Sequence, residues 1–195
     1  AFIPFPLLVG GLSRWSGGMI VRFGAKPMLI AGPLITSIGF LLLGIYGTGS
    51  SYWVCFFPGI SLMGLGVAIS FAPMNTTVMS SVDRSDAGSA SGINKAVARL
   101  SGMLSVALLG ALAISLFGSE LLAMMQQNNI PEVVQQQMMS EKANLATASI
   151  PESASSGLRL TLENTIKQSF LYSFQTVMYT SAGLVLMGAI CAALM

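Results

Sequence analysis

Two long stretches of this chain, Pro27 to Tyr46 and Tyr52 to Val82, contain no ionised side chain, and each is long enough to cross bilayer hydrocarbon as a helix. Such a segment has few places to go. In water it needs a large core to hide in, whereas in lipid a helix satisfies its own backbone polar groups. Composition favours lipid: of 195 residues, 53% are hydrophobic and 8% charged, well outside the usual balance of a soluble domain. No repeating ten-residue alternation suggests a membrane β-barrel. The expected fold class is therefore an all-α integral membrane protein.

Five spans are expected, at about 1–20, 28–46, 52–79, 88–117 and 170–195, with a polar segment at 118–169 between the last two. Gly39, Gly44, Pro58 and Pro73 lie inside these spans; such residues are common in membrane helices, where neighbours compensate for a lost backbone bond. Loop charge orients the bundle. The connection around Arg22 and Lys26 is basic, as is the region of Arg84, Lys95 and Arg99, while Gly47 to Ser51 carries no charge. By the positive-inside rule the basic connections face the cytoplasm, and Gly47 to Ser51 and the 118–169 segment face out. Within that segment Pro131-Glu132 reads as a helix start, Leu158 to Lys167 as a helix feeding the last span, and Pro151 to Gly157 as a flexible turn. A solvated helical hairpin is the expectation here, ahead of a binding role for its Gln and Met side chains. The chain opens at Ala1 inside an apolar run, without the pattern of a signal peptide, and stops at Met195 inside another. Both ends read as internal to a longer protein.

Several chemistries have no residues to run on. Histidine is absent and the two cysteines, Cys55 and Cys191, sit in separate apolar runs, so neither a metal site nor a disulfide framework is expected. A net charge of +2 with no basic patch argues against nucleic-acid binding. No phosphate-cradling glycine loop is present, which disfavours an ATP-driven pump. No cofactor is expected.

The segment Gly17-Gly18-Met19-Ile20-Val21-Arg22-Phe23-Gly24-Ala25-Lys26-Pro27 joins two antiparallel spans. Glycine permits a positive φ in the tight turn, and Arg22 and Lys26 sit at headgroup depth and resist translocation. This segment resembles the loop signature of the major facilitator superfamily, with Gly17, Arg22, Gly24 and Lys26 matching and Val21 standing where the family carries an acidic residue. A longer stretch is similar to the fourteen-span drug/proton antiporters of that superfamily. It comprises Gly64-Leu65-Gly66, Phe71-Ala72-Pro73, Val82 to Gly92, then Asn94, Arg99, Leu100, Gly102 and Ser105-Val106-Ala107. The resemblance covers roughly Pro4 to Leu112 and implies that the five spans are the last five of the parent, in its C-terminal lobe. It also implies secondary active efflux of lipophilic drugs in exchange for protons by alternating access in the bacterial cytoplasmic (inner) membrane. The implied partners are a small lipophilic substrate, protons, membrane lipid and the N-terminal lobe of the same chain.

In the fourth expected span Gly88, Gly92 and Ala96 recur every four residues, and Ala98, Gly102 and Gly110 fall in a similar series, giving smooth faces on which another helix can pack closely. The same smoothness suits an interface between rocking lobes. Lys95 and Arg99 lie one turn apart on that helix, and Asp83 and Asp86 just before it. Charges at such depth snorkel, pair, or line a wet cavity, so these four are candidates for an inner gate. Arg14 is a similar case in the first span. In the third span Trp53, Phe57, Ser61, Gly64, Ala68, Phe71 and Asn75 share one helical stripe. The family counterpart lines the central cavity, so Trp53, Phe57, Ser61, Phe71 and Asn75 are substrate-cavity candidates, with ordinary helix packing as the alternative.

No Asp or Glu occupies the middle of any span, yet proton coupling needs a group that loads and releases a proton. Coupling carboxylates are therefore expected outside this sequence. Two other readings stay open: a major facilitator carrier of another small solute, and a non-transporting five-span scaffold or membrane enzyme, the latter disfavoured by the lack of histidine and of intramembrane acids.

Overall fold

The computed structural model describes residues 10–11, 18, 20, 22, 24–46, 52–83, 85–147 and 156–194. Five α-helices account for most of them: α1 Ala25–Tyr46, α2 Tyr52–Ser80, α3 Ala87–Gln127, α4 Glu132–Ser140 and α5 Ser156–Leu194, with a 3-10 segment at Lys142–Thr147. No strand occurs among the described residues. Four helices are long and apolar enough to span a membrane, namely α1, α2, α3 and α5, and the protein is a multi-pass α-helical membrane protein. The span expected at 1–20 lies outside the described residues except at single positions, as do Arg14 and Gly17. The chain divides into two compact units, Ala1–Met103 with Met178–Met195, and Leu104–Val177.

In the first unit α1 and α2 form an antiparallel hairpin stitched by glycine. A methyl group added at Gly66 would lie 2.5 Å from the Gly32 carbonyl oxygen and 2.6 Å from the Thr36 backbone nitrogen. One added at Gly32 would meet Ser70 Oγ and come within 2.8 Å of the Gly66 carbonyl oxygen. The same closeness recurs further along, where a methyl at Gly39 would stand 2.8 Å from the Gly59 carbonyl oxygen and one at Gly59 would stand 2.7 Å from Leu43 Cγ. Only hydrogen at these α-carbons lets the backbones approach, and in lipid, where apolar burial gives no drive, close packing holds helices together. The hydroxyls beside the glycines are satisfied along their own helices: Thr36 Oγ1 donates to the Gly32 carbonyl and Ser70 Oγ to the Gly66 carbonyl, each at 3.0 Å. The C-terminal part of α5 joins through Ser37 Oγ, which donates to the Ala182 carbonyl at 3.0 Å with both residues buried. Gly44 lies against the ring of Tyr179.

The second unit has an apolar core of its own. Phe117, Leu121 and Met125, spaced one turn apart on α3, pack with Ile130, with Met138 of α4 and with Leu162 and Ile166 of α5. Five of these seven are fully buried, each worth about 1.5–3 kcal/mol of transfer free energy if taken from water. The stretch expected as a solvated hairpin is thus a packed one. Its first corner is a helix stop. Asn129 adopts φ 51°, Ile130 N–H donates to the Met125 carbonyl, and Asn129 N–H donates to the Gln126 carbonyl, both at 3.0 Å. This is the Schellman arrangement, in which a left-handed residue closes the helix and the next apolar residue folds back on it. Pro131 follows, and its carbonyl accepts from Val134 and Gln135 N–H at 3.0 and 3.1 Å, so α4 starts where the proline geometry suits a helix.

Two helices outrun the expected spans. α3 continues to Gln127 rather than stopping near 117, and α5 starts at Ser156 rather than near 170. A helix need not end where hydrocarbon ends; it ends where a stop signal stands, and here that signal is Asn128-Asn129 before Pro131.

Candidate functional site

The basic turn is built on Gly24, whose φ is 81° and whose N–H donates to the Ile20 carbonyl at 2.9 Å. A left-handed residue with that single bond closes one helix, and α1 begins at the next residue. Glycine takes this φ without the strain a side chain would bring. Arg22 and Lys26, on either side of it, are exposed.

The aromatic stripe of α2 is not one open face. Its middle, Gly64 and Ala68, is buried, while its ends stay accessible: Trp53 is 69% and Phe71 58% exposed. Trp53 and Phe57 form a tilted pair with centroids 5.4 Å apart. Ser61 Oγ, between that pair and the buried middle, is a buried side-chain atom without a hydrogen-bond partner among the described residues. At the other end Asn75 Nδ2 donates to the Phe71 carbonyl at 2.9 Å, which leaves Asn75 Oδ1 to accept a long bond of 3.4 Å from Asn94 Nδ2 of α3. The five cavity candidates therefore form two groups, Trp53, Phe57 and Ser61 at one end of α2 and Phe71 with Asn75 at the other.

Beside the second group lies a groove of about 360 Å³ lined by Val78, Ala90, Ile93, Asn94 and Val97. Its walls are apolar apart from one amide. Helical periodicity in α2 could not find Asn94, because that residue belongs to another helix and only the fold brings the two amides together.

The four gate candidates are all exposed. Asp83 lies in the turn before α3, and its carbonyl accepts from Asp86 N–H at 3.0 Å. Asp86 in turn stands at the N-cap, its carbonyl accepting from Ala90 N–H at 2.9 Å, a position that suits aspartate. Neither Lys95 nor Arg99 pairs with either acid, or with any other described residue. Gly88, Gly92, Gly102 and Gly110 of α3 have nothing within 4 Å of an added methyl, so the smooth faces of this helix meet no described neighbour.

Comparison with known proteins finds partial similarity to two proteins named as transporters or for drug resistance. It is 30% identical over 139 residues to the multidrug resistance protein Stp of Mycobacterium tuberculosis, an alignment covering 71% of this chain and 25% of that protein. It is 34% identical over 103 residues to a probable actinorhodin transporter of Streptomyces coelicolor, covering 51% of this chain and 18% of the relative. The chain thus spans about a quarter or less of the relatives it matches. No family model matches it.

Proposed function

We propose that this chain contributes part of the C-terminal lobe of a multidrug efflux transporter of the major facilitator type in the bacterial cytoplasmic membrane, one that exchanges lipophilic drugs for protons. The observation that carries the reading is the groove at Val78, Ala90, Ile93, Asn94 and Val97. It sits beside the Asn75–Asn94 amide pair in a chain similar to two proteins named for drug and antibiotic transport. An apolar wall with one or two convergent amides suits a lipophilic compound, since apolar surface supplies contact and a single polar group fixes orientation. Asn75 would contact substrate at the edge of the groove through its pairing with Asn94, with Phe71 one turn away, and Trp53, Phe57 and Ser61 would contact substrate at the opposite end of α2. Alternating access around a midplane site needs an opposing wall, which a longer protein of the relatives' size would supply along with the coupling carboxylates.

The test is uptake of a fluorescent lipophilic cation into inverted membrane vesicles containing the full-length protein. Uptake should collapse when a protonophore dissipates the proton gradient, and Asn75→Leu should raise KM more than it changes kcat. Uptake that survives gradient collapse would remove proton exchange from the reading. Failure to move any lipophilic compound, with a sugar or metabolite carried instead, would favour a carrier of another solute.

A further inference from the structure

From Leu100 to Ser119, α3 carries no ionised side chain, a stretch of about twenty residues that matches the roughly 30 Å of a bilayer's hydrocarbon. Seated on that stretch, the helix has Arg99 at one hydrocarbon boundary and Glu120 at the other. Lys95, four residues before Arg99 and on the same face, then lies about 6 Å further out, within the headgroup layer. Both cations are exposed and have no partner among the described residues. Together with Gly92, Ala96 and Ala98 they line an open hollow of about 570 Å³ along the side of α3, and no described residue stands within 4 Å of where a side chain at Gly92 would begin.

We propose that Lys95 and Arg99 bind the phosphate of an anionic phospholipid headgroup, with Gly92, Ala96 and Ala98 as the floor of the site. The chemistry is complementary in four respects. Arginine offers a planar fork to phosphate oxygens and lysine a mobile point charge, so the pair can hold one phosphate from two sides. The floor residues have no side chain beyond a methyl, so the headgroup can reach the depth of both cations. Met103, one turn beyond Arg99 on the same face, is 69% exposed, and it continues the site into hydrocarbon as an acyl chain requires. Among the described residues no acid lines the hollow, so two positive charges favour a lipid with net negative charge over a zwitterionic one. The leaflet concerned is the one that faces the basic turn at Arg22 and Lys26.

Native mass spectrometry of the full-length protein, released from nanodiscs of phosphatidylcholine alone or of phosphatidylcholine with phosphatidylglycerol, reads the site directly. The expected result is retained phosphatidylglycerol, lowered roughly tenfold in affinity by Lys95→Gln with Arg99→Gln and kept by the charge-preserving pair Lys95→Arg with Arg99→Lys. Equal retention of both lipids by the wild-type protein would overturn the proposal without recourse to any variant. So would retention unchanged in the neutral double variant. Displacement of the lipid by millimolar glycerol phosphate would assign the site to a soluble phosphate ester instead. If an acidic side chain from elsewhere in a longer protein occupies the cations, anionic lipid will not be retained and the proposal fails in the same measurement.

Discussion

The α1/α2 hairpin and the first half of α3 draw on the same small residues and use them differently. In the hairpin Gly32, Gly39, Gly59 and Gly66 each stand where one added carbon would strike the facing helix. On α3, Gly88, Gly92 and Gly102 stand with no described residue in reach, and Ile93, Val97, Leu100 and Met103 beside them are all more than half exposed. Small residues in a membrane helix permit close approach, but they do not compel it. What separates the two regions is reciprocity. Opposite Gly32 lies Ser70 and opposite Gly66 lies Thr36; opposite Gly59 lies Leu43 and opposite Gly39 lies Met63. Each gap on one helix receives a side chain from the other, whereas on α3 the gaps have no described counterpart.

The sharpest way to break this contrast is Gly66→Val. The new carbon meets the Thr36 hydroxyl first, which can turn, but next to it lie the Gly32 carbonyl oxygen at 2.5 Å and the Thr36 nitrogen at 2.6 Å, which are backbone and cannot rotate away, so the helices must separate. Overpacking of this kind costs about 1–3 kcal/mol and at times more, and the upper end applies here. Thermal unfolding of the protein in detergent should fall by several degrees, and an unshifted transition would show that the helices are not in backbone contact.

A milder substitution, Gly59→Ala, separates rigid from yielding neighbours. Its added methyl meets Leu43 Cγ at 2.7 Å and Leu43 Cδ2 at 2.8 Å, with the Gly39 carbonyl oxygen at 3.2 Å, so most of the clash is with a side chain that can turn. The expected cost is about 1 kcal/mol, and Leu43→Ala in the same molecule should recover part of it, giving a non-additive cycle. Strict additivity would mean that the two residues do not touch. Ser37→Ala comes next in size. It deletes the buried donor to the Ala182 carbonyl, and hydrogen bonds between membrane helices average about 0.6 kcal/mol. Cysteine cross-linking between α1 and α5 should report a small loosening that leaves the α1/α2 contact intact.

Much of this was written in the sequence at the level of which residues share a face. Uncharged runs located α1, α2, α3 and α5, and the turn at Gly24 was legible because a glycine between two basic residues has few other uses. The partner of each face was not legible. The evenly spaced Gly88, Gly92 and Ala96 offer a smooth face, yet the surface packed among the described residues uses a sparser pattern, with Thr36 and Ser70 in slots between glycines. The α2 stripe met the same limit, since periodicity put Gly64 and Ala68 in line with Trp53 and Asn75 but could not tell that the middle would be buried and the ends open. Pairing across helices, as in Asn75 with Asn94, is a property of the fold and of no local window.

A substitution that should not destabilise at all discriminates best between a face that is merely exposed and one awaiting a neighbour. Gly102→Ala adds a methyl that meets no described residue within 4 Å, and exchanging glycine for alanine inside a helix removes a conformational penalty of roughly 0.5–1 kcal/mol. The transition should therefore stay in place or rise slightly. Under the proposed function, in which a longer protein supplies a second lobe, the same residue carries the opposite expectation where α3 meets that lobe. Gly102→Leu would then fill a space that a moving helix must pass, and efflux should fall at unchanged expression while the isolated chain remains as stable as before. Equal tolerance of Gly102→Leu in both settings would mean that this side of α3 faces lipid throughout, and that its glycine spacing has no part in the proposed transport cycle.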